Sequence, residues 1–310
     1  MIAVGILQTI LLIAIAPLMA GIVSKLKAGM QNRPGSSVLQ PYRDLIKLCR
    51  KDRVVSGSCS WIFRAVPIVC MSSMLILAAM TPFVYTGVLA PYGGLVTVVY
   101  MFTMYRFAMV LGGLEGGSTF GGMGSSREMM MSVLIEPALL LGIATLAVLS
   151  GAGTDMGDIS EAIASMGMAA VGPALILAAC SFMITLLAEN ARIPFDNPTT
   201  HLELTMVHEA MLLEYSGRDL AMMEYSSMLR MTIFMAMLGS LFLPWGISTT
   251  GDPASLVLGL VLAMAKMLAI AFVVALVESV LCKSRLFKVP NLLTVSFALS
   301  LIAMISLYIL

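Results

Sequence analysis

Eight stretches of this chain, each close to the ~20 residues that cross a bilayer as a helix, carry almost nothing but apolar side chains. They fall at about 2–24, 65–86, 95–113, 129–150, 171–190, 229–248, 255–281 and 291–309. Such stretches belong where water is absent, and there the backbone must satisfy its own hydrogen bonds. Strand-type alternation of apolar and polar residues does not appear in them, which excludes a β-barrel. The 310 residues are 59% hydrophobic and 11% charged. The expected fold is an all-α, polytopic membrane protein with a single integral-membrane domain over 1–310. The first run has no basic start and no small-residue cleavage site, so it is expected to be a retained helix.

The cations orient these spans. Sixteen of the eighteen Lys and Arg fall in four alternate connections, 25–64, 114–128, 191–230 and 282–290. The opposite connections hold no cation, only Asp155, Asp158, Glu161 and Asp252. The basic connections are therefore expected in the cytoplasm and both termini outside. Two cytoplasmic loops are large, 25–64 and 191–228.

In the first of them, Pro41 to Arg50 sets Leu45, Ile46, Leu48 and Cys49 on one face and Arg43, Lys47 and Arg50 on another. That predicts a short interfacial amphipathic helix with proline at its start; a solvated basic loop is the alternative. Gly112 to Ser126 holds seven Gly and is expected to be a loop whose glycines allow close backbone approach or hinging.

Ionisable residues within spans are costly and point to function. They are Arg106, Glu136, Glu189, Lys266 and Glu278. Lys266 and Glu278 are twelve residues apart, roughly 18 Å along one helix, too far to pair. Arg106 is able to neutralise one of the acids. The stretch Glu189–Gly217 adds Asp196, Glu203, Glu209 and Glu214, together with both histidines, His201 and His208. Acids on several helices with a buried lysine suggest a proton relay or a gated water path; for Glu189 and Glu278, near helix ends, snorkelling to the interface is the alternative. The histidines lack the spacing of a metal motif, and the five Cys form no CxxC pair. The 28 Met read as flexible packing. Nucleotide, dinucleotide and haem motifs are absent, so no redox chemistry is expected of the chain alone.

Several motifs coincide with one family. Asn32-Arg33-Pro34-Gly35, Val38-Leu39-Gln40-Pro41 and Asp44-Leu45-Ile46-Lys47-Leu48 resemble its first-loop signature. Arg127 and Glu136 have its fourth-helix spacing. Glu189, Arg192, Pro194, Phe195 and Asp196 match its E-x-x-R-x-P-F-D, and Glu214-Tyr215-Ser216-Gly217 its E-Y-S-G. The chain thus resembles, over its whole length, the membrane-anchor subunit shared by complex I (subunit-1 type) and the energy-converting group 4 NiFe-hydrogenases. It departs from the quinone-reducing branch by the longer link holding His201 and His208. Val277-Glu278-Ser279 and Lys283-Ser284-Arg285 also stand where that branch has its closing motif. These features are similar to the formate hydrogenlyase and hydrogenase-4 side.

The resemblance implies a non-catalytic subunit of the prokaryotic cytoplasmic membrane with no cofactor of its own. The NiFe centre and Fe–S clusters would lie in partners: hydrogenase large and small subunits, a ferredoxin-like subunit and antiporter-like membrane subunits. No nucleic acid is involved. Arg33, Pro34, Gly35, Arg43, Asp44, Lys47, Arg192 and Tyr215 would dock the peripheral arm. Glu136, Glu189, Asp196, Glu203, Glu209, Glu214, Lys266 and Glu278 would carry ions. The rival readings are the quinone-site subunit of a complex I variant and a stand-alone transporter, which would show internal repeats; none is seen.

Overall fold

The computed structural model describes residues 2–57, 59–85, 92–196, 206–243, 245–246 and 253–309. It is all-α. The helices are α1 (Ile2–Met30), α2 (Gln40–Cys49), α3 (Trp61–Met80), α4 (Leu95–Glu115), α5 (Thr119–Ser150), α6 (Met156–Met166), α7 (Pro173–Glu189), α8 (His208–Leu212), α9 (Gly217–Met237), α10 (Pro253–Val280) and α11 (Val289–Ile309). Seven of the described helices are long and apolar enough to cross a membrane, and α7, at 17 residues, is a shorter eighth at the lower limit for a span. The chain is a multi-pass membrane protein.

Local sequence explains the helix starts. Ser60 caps α3 by accepting the Ile62 N–H, and Ser118 caps α5 by accepting the Gly121 N–H. Proline opens α2 and α7, where its missing N–H costs nothing. Burial then sorts the helices. In α9, 83% of the apolar window is buried, against 22% in the terminal helix α11, so α9 is the axis of the bundle. Phe234 of α9 stacks on Phe102 of α4 and meets Phe182 of α7 at the centre.

Two expectations fail here. The Gly-rich stretch is no loop: only residues 116–118 separate α4 from α5. Its glycines serve close approach. A Cβ on Gly112 would run into the Tyr215 hydroxyl, and one on Gly124 would come within 2.8 Å of the Val207 carbonyl. Helix α9 also begins twelve residues before the expected span, at Gly217, because its polar first turns face other protein elements rather than lipid. Beyond its last α-turn, Leu238–Phe242 forms a π-helical turn. Helix α6, in an acidic connection, was not anticipated; it buries Ile159 and Ile163.

The connections gather at two ends. At one, Ser216 exchanges hydrogen bonds with Val54, Glu115 accepts the Ser60 N–H, and the Ser284 N–H reaches the Pro194 carbonyl. At the other, Gln8 accepts from Val84 and Tyr85, and Gly93–Leu95 bonds Thr154–Met156. The four basic connections share the first end; α1 begins and α11 finishes at the second.

Helix α1 is shaped by Pro17, which leaves the Ile13 carbonyl without its helical donor. Tyr225 of α9 donates its hydroxyl to that carbonyl at 2.7 Å. Tyr42 of α2 donates to the next carbonyl, Ala14, and meets the Leu18 N–H, so its hydroxyl is inserted into the ladder beside Pro17. Residues 31–39 run back along α1: a Cβ on Gly21 would collide with the Val38 carbonyl, and one on Gly35 with Ala28. The outer turns of α1 therefore project past the level of α2.

Candidate functional site

Among the buried charges of the bundle is Arg106, on α4 and 2% exposed. Its Nε lies 3.4 Å from Glu128 and its Nη1 3.4 Å from Glu136, both on α5; its Nη2 contacts Glu189 at the end of α7. Glu128 and Glu136 are eight residues apart, a little over two helical turns, so one guanidinium reaches both. A second buried cation, Arg230 of α9, sits 3.9 Å from Glu189 and lies over the Tyr105 ring at 4.6 Å. Two guanidiniums thus face three carboxylates inside the bundle. Glu136 is the outermost member, with its side chain 33% exposed.

Directly after Glu189 the chain turns into a cavity of about 550 Å³. Asn190, Arg192, His208, Glu209, Glu224 and Glu278 are among the residues that line it. Glu278 is fully enclosed and bound by two cations, Lys27 at 2.9 Å and Arg192 at 3.1 Å. Asp196 accepts from Lys283 at 2.6 Å and from the N–H groups of Val207 and His208, which fixes the start of α8. Lysines from the basic end thus reach inward to compensate buried acids.

His208 connects the two regions. It is buried, and burial, then Arg230 and Arg106, hold its imidazole well below the usual histidine range, so it is neutral. Among the described residues its Nε2 has no hydrogen-bond partner. Burial, followed by the nearby charges of Glu224 and Asp196, pushes Glu209 up to about 7. This carboxyl exchanges protons near neutrality, at the wall of a cavity.

The sequence reading and the structure part in several places. Glu136, Glu189, Asp196, Glu209 and Glu278 do converge on the Arg106 cluster or the cavity. Glu203 and His201 lie outside the described residues. Glu214 is exposed, against Gly116 at the basic end, and is not joined to the cluster. Lys266 is also apart: it donates to the Leu243 carbonyl just past the π-helical turn. Of the docking residues, Arg33, Pro34, Gly35, Arg43, Asp44 and Lys47 are exposed. Arg192 is not a surface residue but the partner of Glu278, and Tyr215 is 4% exposed, stacked on Phe63 at 4.1 Å with its hydroxyl on the Phe63 carbonyl. The aromatic ring gains more from that stack than from water. Glu128 and Arg230 were missed. Glu128 follows Arg127 in what reads as a loop, and Arg230 sits at the edge of an apolar run; neither looks interior until α5 and α9 are extended. Arg127 itself donates to the Met206 carbonyl at 2.8 Å.

Comparison with known proteins gives a consistent result. The family model described as "NADH dehydrogenase" matches residues 2–308. The chain is 35% identical to formate hydrogenlyase subunit 4 of Escherichia coli (strain K12), over 97% of each protein. It is 33% identical to hydrogenase-4 component C of the same organism, over 96% of this chain and 92% of that protein. Its fold matches a chain in the structure of the membrane-bound sulfane sulfur reductase, an archaeal respiratory membrane complex, with a TM-score of 0.85, 19% identity and 98% coverage of both chains.

Proposed function

Because the chain belongs to the NADH dehydrogenase family of complex I subunit 1-like membrane proteins, we propose that it is a non-catalytic membrane subunit of a membrane-bound NiFe-hydrogenase complex. In this reading it anchors a peripheral arm and couples that arm's redox reaction to proton or sodium translocation. The NiFe centre and Fe–S clusters belong to the hydrogenase large and small subunits and a ferredoxin-like subunit; antiporter-like subunits complete the membrane arm. The 33–35% identity to two hydrogenase-complex subunits supports this branch.

The observation that carries the coupling role is the imbalance around Arg106. Three carboxylates face two guanidiniums where charge is poorly solvated, so the excess carboxylate is the group that holds and releases a proton. Glu189 is the hinge of the arrangement. It contacts both arginines, and the chain after it forms the cavity wall with Arg192 and Asp196. A change at the arm that disturbs the Arg192–Glu278 or Lys283–Asp196 pair reaches Glu189 along the backbone from Arg192, three residues on, or Asp196, seven residues on. The projecting end of α1 with Arg33, Pro34 and Gly35 is the docking point.

The test is isolation of the complex from membranes through a tag on this subunit. Nickel and hydrogen-evolving activity are expected to co-purify. Quinone-dependent NADH oxidation without nickel would replace this reading by the quinone-site alternative. One observation favours that alternative: the 550 Å³ cavity, whose wall offers the unpartnered His208 Nε2.

A further inference from the structure

The outward side of α2 presents Arg43 and Lys47, one turn apart, and just past the helix Arg50 and Lys51 continue the cationic surface. Together with Ile46, which is 54% exposed, they line a shallow groove. The acid in this helix, Asp44, accepts from Gln40 Nε2 at 2.8 Å, one turn back. We propose that this groove is a binding site for the headgroup of an anionic phospholipid in the leaflet at the basic end of the molecule.

Position argues for lipid rather than for the soluble arm. The chain descends from Met30 to the level of Gly21 before α2 begins, nine residues of α1, or roughly 14 Å. Tyr42 then anchors α2 at Ala14, deeper still. At the far end of α2, Asp52 and Val54 meet Gly217 and Ser216, where α9 starts, and α3 starts at Trp61, which is 76% exposed. Helix α2 therefore lies in the plane where the spans emerge, the level of phosphate groups, while the Arg33 turn stands beyond it in water. Its inner side is occupied by α1 and α9. A cationic groove with the exposed Ile46 in its lining, on a helix preceded by exposed Leu39 and followed in the chain by exposed Trp61, matches a molecule with an anionic head and apolar tails. A free phosphate would leave the exposed Ile46 of the groove without an apolar partner.

The experiment uses the intact purified complex in detergent, titrated with phosphatidylglycerol or with phosphatidylcholine, and counts lipid retained on this subunit by native mass spectrometry. The unmodified complex is expected to prefer phosphatidylglycerol, and excess inorganic phosphate is expected not to displace it. Lys47→Gln with Arg50→Gln should weaken phosphatidylglycerol binding roughly 30-fold, from the attraction that two cations lose, and leave phosphatidylcholine unchanged. Lys47→Ala with Arg50→Ala, which favours the helix, must behave alike; Arg33→Gln must not. Equal retention of both lipids by the unmodified complex, or unchanged phosphatidylglycerol binding in both double variants, overturns the site. So does displacement by phosphate. If the double variants shed the soluble subunits while keeping lipid, the groove is an arm contact instead.

Discussion

Arg106 is the residue that Glu128, Glu136 and Glu189 share. Replacing it with Leu leaves Glu128 and Glu189 without their main counter-charge; removing one partner of a buried ion pair typically costs about 3–5 kcal/mol, so Arg106→Leu should abolish assembly, read as loss of the subunit from membranes. Glu136→Gln acts oppositely: it reduces three carboxylates to two against two arginines, a balanced set. The expected outcome is intact assembly and dye-linked hydrogen chemistry with reduced ion translocation by everted vesicles. Full pumping in that variant would take Glu136 out of the path. Glu209 sets a pH dependence. Its folded-state value, near 7, lies above the ordinary 4.5, so folding favours the protonated form. The associated stability is complete below about pH 4.5 and is lost as pH rises through about 7. Melting of the solubilised complex should therefore fall over that window, and Glu209→Gln should flatten the fall. A variant curve parallel to the unmodified one would refute the assignment.

At the level of elements, the docking turn is testable alone. Arg33→Glu places a negative charge at the projecting tip, where attraction to the arm becomes repulsion; the hydrogenase subunits should then appear in the soluble fraction. Retention of an active arm would remove Arg33 from the interface. Most helices were legible because a span announces itself by length and apolarity, and the amphipathic α2 by its two faces. The misreadings have one physical source. Glycine between spans reads as a loop by the rules of water, yet in a bundle Gly112 and Gly124 are where helices touch. Likewise the polar start of α9, with Arg218, Asp219 and Glu224, hides a helix whose neighbours are protein. Glu136, Glu189 and Glu278 were found as charges in apolar runs. Their partners were not, since pairing depends on which helices are adjacent. Where Asp196 and Lys283 meet, 87 residues apart, no local pattern exists to read.

For the whole molecule, the gathering of basic connections at one end predicts sidedness. In a cysteine-free background, Ser37→Cys and Thr154→Cys, both at exposed positions, should label from opposite faces of the membrane. Labelling of both from outside the cell would overturn the orientation. The proline of α1 then carries a mechanical meaning. Two hydroxyls from separate elements tie α1 at Ile13 and Ala14, the carbonyls beside the missing proline N–H, so the helix is held at this point from two sides. Lys27 lies ten residues on from Pro17, or roughly 15 Å along the helix. A load placed on the tip would be felt at Lys27, and the group that Lys27 holds in the cavity wall is Glu278.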